Sequence, residues 1–290
     1  MTIKKRNKSI DVDRSRHPCP RSIQGGHINE IASKILQQYQ RLLEEHAPGF
    51  VEAVYIYGSV ALDDYVPNKS DIDFIAISAE RADSTQYRQL VTVHRLMKRA
   101  NPNSNLGGIY VCWNDLGKSK TLIPPYPCCH SNRMQRKGYS ECNEMTWWQL
   151  KHQAICLFSN REGALDDFGV HADRMKRSIT LSIQNYWKPW VDKRSSYLSY
   201  NRWLLACFPG LVEWGVLTLS RQYYALSTGN ITSKTKAGLY CLQRVPKKYQ
   251  EFLREVIDIR NDGRAAGFSI NWQRSQLALE YMRYLIAECE

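Results

Sequence analysis

The stretch Tyr57–Asp73, YGSVALDDYVPNKSDID, places a Gly58-Ser59 pair twelve positions ahead of two aspartates, Asp71 and Asp73, that are separated by one residue. Glycine lets a phosphate approach the backbone, serine adds a hydroxyl, and a helix starting there supplies N–H donors. On a strand, positions i and i+2 share a face, so the two carboxylates project together. Adjacent carboxylates repel unless a cation lies between them, and Mg²⁺ prefers carboxylate and phosphate oxygens. These parts read as a magnesium–nucleotide site. The matching chemistry is nucleotidyl transfer, with in-line attack at the α-phosphate of a nucleoside triphosphate and release of pyrophosphate. Gly-Ser or Asp-x-Asp alone would be a capping serine or a solvated acidic pair; the strand context around both carries the reading.

The elements needed to position these groups are legible nearby. Residues 28–46 repeat apolar positions at helical spacing, VEAVYIYG reads as a strand ending at Gly58, and DIDFIAIS as a second strand. QYRQLVTVHRLMKRA reads as a helix and LGGIYVCW as a third strand. Residues 122–143 are rich in Pro, Cys and polar side chains and are expected to form a long loop, followed by a helix over EMTWWQLKHQAICLF. Past a joint near residues 159–165, helical spacing recurs in 172–187, 211–227, 234–243, 247–260 and 272–288, with Gly or Pro at 209–210, 229, 246, 263 and 267. The expected architecture is α+β: a basic arm over 1–26, a nucleotidyltransferase domain of mixed sheet and helices over 27–160, and an all-helical C-terminal domain over 161–290.

Composition narrows the class. With 43% hydrophobic and 11% aromatic residues, the chain of 290 can bury a real core. It has no apolar run of membrane-spanning length and no secretory leader pattern, so no membrane partner is expected. Nine cysteines without such a leader fit reduced thiols in a cytoplasm. Cys128, Cys129, His130 and Cys142 read as ordinary buried thiols and a histidine rather than a zinc site, because adjacent cysteines suit a tetrahedron poorly. The formal charge is +12, of which residues 1–22 supply +5 (seven Lys/Arg minus Asp11 and Asp13). That excess suits a polyphosphate ligand; without an RNA-binding motif it is weak support for a nucleic-acid partner. Trp147-Trp148 and the aromatic-rich 186–203 read as packing rather than ligand stacking.

Two separate parts, IYGSVALDDYVPNKSDIDFIAI and residues 214–261, resemble the streptomycin- and spectinomycin-modifying aminoglycoside adenylyltransferases, within the DNA polymerase β-like nucleotidyltransferases. The resemblance implies that Asp71 and Asp73 bind Mg²⁺ and that Ser59 and Ser70 contact the ATP phosphates beside Gly58. It also implies that Arg221 and Lys234, thirteen residues apart, reach across from the second domain to ATP. The implied acceptor is a hydroxyl of a small aminoglycoside-type molecule.

The sequence also departs from the family. The third carboxylate, the general base, is expected on the third strand, where Gly107 stands; no acid lies in residues 102–114. Asp115, Asp63 and Asp64 are the nearby acids, with no geometric reason to promote any of them. At the position of the family's drug-binding aspartate stands Leu211, with Glu213 two residues on. Asp166, Asp167 and Asp173 are candidates for meeting a cationic drug, though charges at a helix N-terminus are the simpler reading. The loss at Gly107 keeps open a nucleotide-binding pseudoenzyme or sensor, and the changed drug side a different acceptor.

Overall fold

The computed structural model describes residues 28–161, 163, 165, 166, 168–196, 198–261 and 270–290. The basic arm and Asp167 therefore lie outside the described residues, as do Gly263 and Gly267. In the N-terminal half, α1 (Glu30–His46) leads to β1 (Ala53–Tyr57), the short α2 (Gly58–Ala61), β2 (Ile72–Ser78), α3 (Ser84–Ala100) and β3 (Leu106–Cys112). Then follow β4 (Tyr126–His130), β5 (Arg133–Gly138), α4 (Glu144–His152) and β6 (Ile155–Ser159). The six strands form one sheet in the order β5-β4-β3-β2-β1-β6, with β2 and β3 parallel and the other neighbours antiparallel.

Helix α1 begins where the Asn29 side chain accepts the Ile31 N–H at 3.0 Å, and α3 opens on a capping box between Asp83 and Gln86. Both turn an apolar stripe onto one sheet face: Leu36, Tyr39 and Leu43 from α1, and Leu90, Val93 and Met97 from α3. The opposite face carries Tyr55, Tyr57, Ile75, Ile77, Ile109 and Val111, covered by Trp147 and Leu150 of α4. Because both faces are covered, β1 is buried at all five positions and shows no polar alternation.

Two expectations fail in this half. Residues 122–143 are not one long loop, because they contain the β4–β5 hairpin, tightly turned through Ser131 and Asn132, both with positive φ (49° and 60°). A two-residue turn needs that backbone, and Ser-Asn advertises it less than Asn-Gly does. The helix expected through Phe158 stops at His152, and Ile155–Ser159 instead adds strand β6 beside β1. Its short apolar run could serve either structure, and pairing with β1 decides.

The C-terminal half is helical: α5 (Ala172–Ser182), continuing through one π-turn at Ile183–Trp187 into α6 (Lys188–Asp192), then α7 (Tyr200–Cys207), α8 (Pro209–Thr228), α9 (Lys234–Leu242), α10 (Lys247–Asn261) and α11 (Trp272–Glu288). Pro209 does not interrupt a helix; it starts α8, where its missing N–H costs nothing. Gly229 ends α8 with φ +72°, the left-handed cap that glycine supplies without strain. The core of this half includes Trp187 and Trp190, with Trp214 against them. Among the described residues no single helix is long and apolar enough to cross a membrane.

Candidate active site

The sheet topology explains the convergence of the motif. Antiparallel pairing sets Tyr57 opposite Asp73, so Gly58 follows directly beside the aspartate, and parallel pairing sets Gly107 on its other flank. Asp73 shares the face of Ile75 and Ile77; Asp71, of the same parity, immediately precedes β2. A methyl group on Gly58 would sit 2.1 Å from Asp73 Oδ2, and φ there is +67°. Both facts demand glycine at this position. The Ser59 hydroxyl donates to the Asp71 carbonyl at 3.3 Å, and the Ser70 hydroxyl accepts the Val66 N–H at 3.1 Å.

These groups line a cleft of about 760 Å³ between the sheet and the helical half. Gly58, Ser59, Ser70, Asp71, Asp73, Arg221 and Lys234 all face it, so every nucleotide or metal candidate named from sequence falls in one cavity. The Arg221 Nε donates to the Thr232 carbonyl at 3.0 Å, and Lys234 Nζ lies 3.5 Å from Glu213 Oε1. Burial pulls both cations below their ordinary pKa, against the opposing pull of Asp73 on Arg221 and of Glu213 on Lys234.

Asp73 shares the cleft with other acids, Asp71 and Glu141 among them. Its carboxyl is pushed up to about 8, first by burial, then by the charges of Glu141 and Asp71. Crowded carboxylates of this kind fit a divalent cation, which would reverse the penalty. Among the described residues no group of three or more His, Cys, Asp or Glu side chains is arranged to hold a metal. A two-carboxylate site is nevertheless the usual Mg²⁺ arrangement, because phosphate oxygens and water complete the octahedron.

Several acids have assignments that the sequence did not reveal. Asp115 is buried, pairs with Arg81 at 2.6 Å and accepts the Cys112 N–H at 3.0 Å; it does not line the cleft. Asp64 does line it, paired with Arg260 at 3.0 Å, and Glu213 contacts both Arg260 at 3.3 Å and Lys234. Glu213 thus holds cations in place, while Leu211 packs against the helical core. Asp173 stands in the first turn of α5, and neither it nor Asp166 lines the cleft. Cys128 and Cys129 are buried in different core layers, Cys129 3.2 Å from His94 Nδ1. Trp147 is in the core.

Three charged lining residues were missed. Lys69 Nζ donates to the Ile259 and Arg260 carbonyls, each at 2.8 Å, tying the end of α10 to the β2 side. Arg260 bridges Asp64 of the sheet half and Glu213 of the helical half. Glu141, an exposed residue in the turn between β5 and α4, lines the same cleft. The only sequence signal for it was an acid just ahead of a helix cap, in a segment read as loop.

A mixed sheet carrying helices followed by a helical half is the fold, and two domain families match along it. Residues 34–107 match the nucleotidyltransferase domain family, and residues 211–288 match the aminoglycoside adenylyltransferase C-terminal domain family. The two matched domains, in this order, support an aminoglycoside adenylyltransferase-type nucleotidyltransferase, and with it an enzyme. The chain's fold is similar to the crystal structure of the spectinomycin adenyltransferase AAD(9) from Enterococcus faecialis, solved with ATP and spectinomycin. The TM-score is 0.60 at 15% identity, over 89% of this chain and 98% of that one. No curated protein matches.

Proposed function

We propose that the protein transfers AMP from Mg-ATP to a hydroxyl of a small molecule of the aminoglycoside-antibiotic type, releasing pyrophosphate, and so confers resistance to it. The observation that carries this reading is the single cleft in which Asp71 and Asp73 at the end of the sheet face Arg221 and Lys234 from the helical half. Asp71 and Asp73 would hold Mg²⁺, which when bound neutralises phosphate charge and stabilises the departing pyrophosphate.

The chain's own groups supply the rest. The Gly58 backbone, free of a side chain, lets the triphosphate approach, and Ser59 and Ser70 contribute hydroxyls beside it. Arg221 and Lys234 bring two cations already desolvated by the cleft, so their attraction for phosphate is less screened than in water. Glu213 orients Lys234. On the remaining wall, Asn143, Thr146, Gln149, Ser178, Ser182 and Thr218 are neutral hydrogen-bonding groups, with Trp214 as a flat apolar surface. That wall suits a polyhydroxylated ring, with specificity set by paired hydroxyls. Gly107 alone would favour a nucleotide-binding protein without turnover, but Glu141 in the same cleft weakens that alternative.

The test is acceptor-dependent pyrophosphate release from Mg-ATP, with spectinomycin and streptomycin as acceptors. Release by the wild type and its loss in Asp73→Asn is the expected result; release independent of any acceptor, or unchanged in the variant, contradicts the proposal.

A further inference from the structure

We propose that Glu141 is the group that takes the proton from the acceptor hydroxyl, acting from the β5–α4 turn in place of a carboxylate on β3. The inference rests on the AMP-transfer reading and deepens it.

The space beside Asp73 is open at the expected position. Gly107 is paired with Asp73 in the sheet, and a methyl group built on it would point onto the same face, 3.8 Å from Asp73 Oδ1 and 3.9 Å from the Cys129 carbonyl. Nothing there bars a side chain, yet none is present. The turn after β5 folds back over that face: the Tyr126 hydroxyl, on the face's β4 edge, donates to the Ser140 carbonyl at 2.7 Å. Glu141 follows at once and lines the same cleft as Tyr57, Gly58 and Asp73.

Its backbone is held for that purpose. Glu141 has φ +57°, a left-handed conformation that costs a residue with a Cβ about 1–2 kcal/mol. Strain of this kind persists where the surroundings over-determine it, and it gathers at functional sites. Here the Asn143 N–H donates to the Glu141 carbonyl at 2.9 Å, and Asn143 itself caps α4 by accepting the Thr146 N–H at 3.0 Å. The Thr146 hydroxyl donates to Glu141 Oε2 at 3.2 Å, which fixes the carboxylate's orientation. Among the described residues Asp71, Asp73 and Glu141 share the cleft without forming a three-carboxylate metal cluster, which leaves Glu141 to serve the acceptor.

The step balances as follows. The acceptor oxygen forms a bond to the α-phosphorus, the bond from that phosphorus to the bridging oxygen breaks, and its electron pair leaves on pyrophosphate. The hydroxyl proton passes to the Glu141 carboxylate.

The experiment measures steady-state AMP transfer to spectinomycin and streptomycin by wild type, Glu141→Gln, Asp73→Asn, and Glu141→Gln combined with Gly107→Glu, with Mg-ATP binding by calorimetry. Removing a general base lowers kcat by about 10²–10⁴-fold. The expected result is that loss in Glu141→Gln with Mg-ATP affinity within threefold of wild type. A recovery of tenfold or more on adding Gly107→Glu would support the assignment independently, since it restores a carboxylate from the other side of Asp73. Glu141→Gln turning over within threefold of wild type, while Asp73→Asn is inactive, overturns this inference and leaves AMP transfer standing. Loss of Mg-ATP binding together with turnover in Glu141→Gln makes the residue structural and also overturns it. A wild type that transfers to neither acceptor overturns the AMP-transfer reading first, and this inference with it.

Discussion

Replacing Asp73 by Asn should remove activity and, without metal, make the protein more stable at neutral pH. The folded-state pKa of Asp73 is about 8, above its ordinary value of 3.8, with burial, Glu141 and Asp71 as the causes. Between these values the folded protein holds a proton that the unfolded chain has released. Stability is therefore fully present below pH 4, falls as pH rises, and levels off above pH 8. Each pH unit in that window is worth about 1.4 kcal/mol, so the span from pH 5 to pH 7.5 has a ceiling of about 3 kcal/mol. The carboxylate retains some access to cleft water, which brings the expected loss to about 1–2 kcal/mol. Asn keeps the shape and carries no charge, so it should escape this loss. Urea unfolding of wild type and Asp73→Asn in EDTA, at pH 5 and pH 7.5, measures the difference. The variant should gain about 1–2 kcal/mol on the wild type between the two pH values. A constant difference, or a gain by the wild type, would refute the account of crowded, desolvated carboxylates.

Other outcomes follow from the same geometry. Gly58→Ala combines left-handed strain of about 1–2 kcal/mol with overpacking of about 1–3 kcal/mol against Asp73, and urea unfolding should register the sum alongside lost turnover. Lys234→Ala removes a desolvated cation worth about 1.5–3 kcal/mol to a charged partner, so calorimetry should show Mg-ATP affinity falling about 10- to 100-fold. Arg260→Leu removes the cation shared by two largely buried carboxylates, Asp64 and Glu213, and should cost about 3 kcal/mol in unfolding experiments, more than any exposed arginine. Because Asp73 must lose its proton for a cation to bind, Mg²⁺ affinity should rise with pH and level off above about pH 8, measurable by titration calorimetry.

The sequence revealed the parts of the site that local rules govern. Gly58-Ser59 at a strand end and Asp71-x-Asp73 at the next strand's start are short-range patterns, and the antiparallel β1–β2 pair brings them together. The helices from α8 to α11 announced themselves by apolar spacing and by caps such as Gly229. What stayed hidden depends on long-range contact. β5, with Arg133, Arg136 and Lys137, lies at the sheet's edge and has no apolar alternation to betray it. Once the hairpin was read as loop, Glu141 had no face and no neighbour. Arg260 lies 196 positions from Asp64, and only the docking of the two halves makes it a bridge. Glu213 resembled a misplaced drug contact until Lys234 and Arg260 were seen beside it. Gly107 pairs with Asp73 across the parallel β2–β3 ladder, while Glu141, the acid that shares the cleft with Asp73, comes from a different segment altogether.

The central claim is AMP transfer, and mass spectrometry of the acceptor tests it most directly. Spectinomycin and streptomycin are each incubated with the protein and Mg-ATP, beside an Asp73→Asn control. The account predicts an acceptor that gains one adenylyl group in the wild-type reaction only, with pyrophosphate formed in equal amount. Unmodified acceptors in the presence of bound Mg-ATP would contradict it.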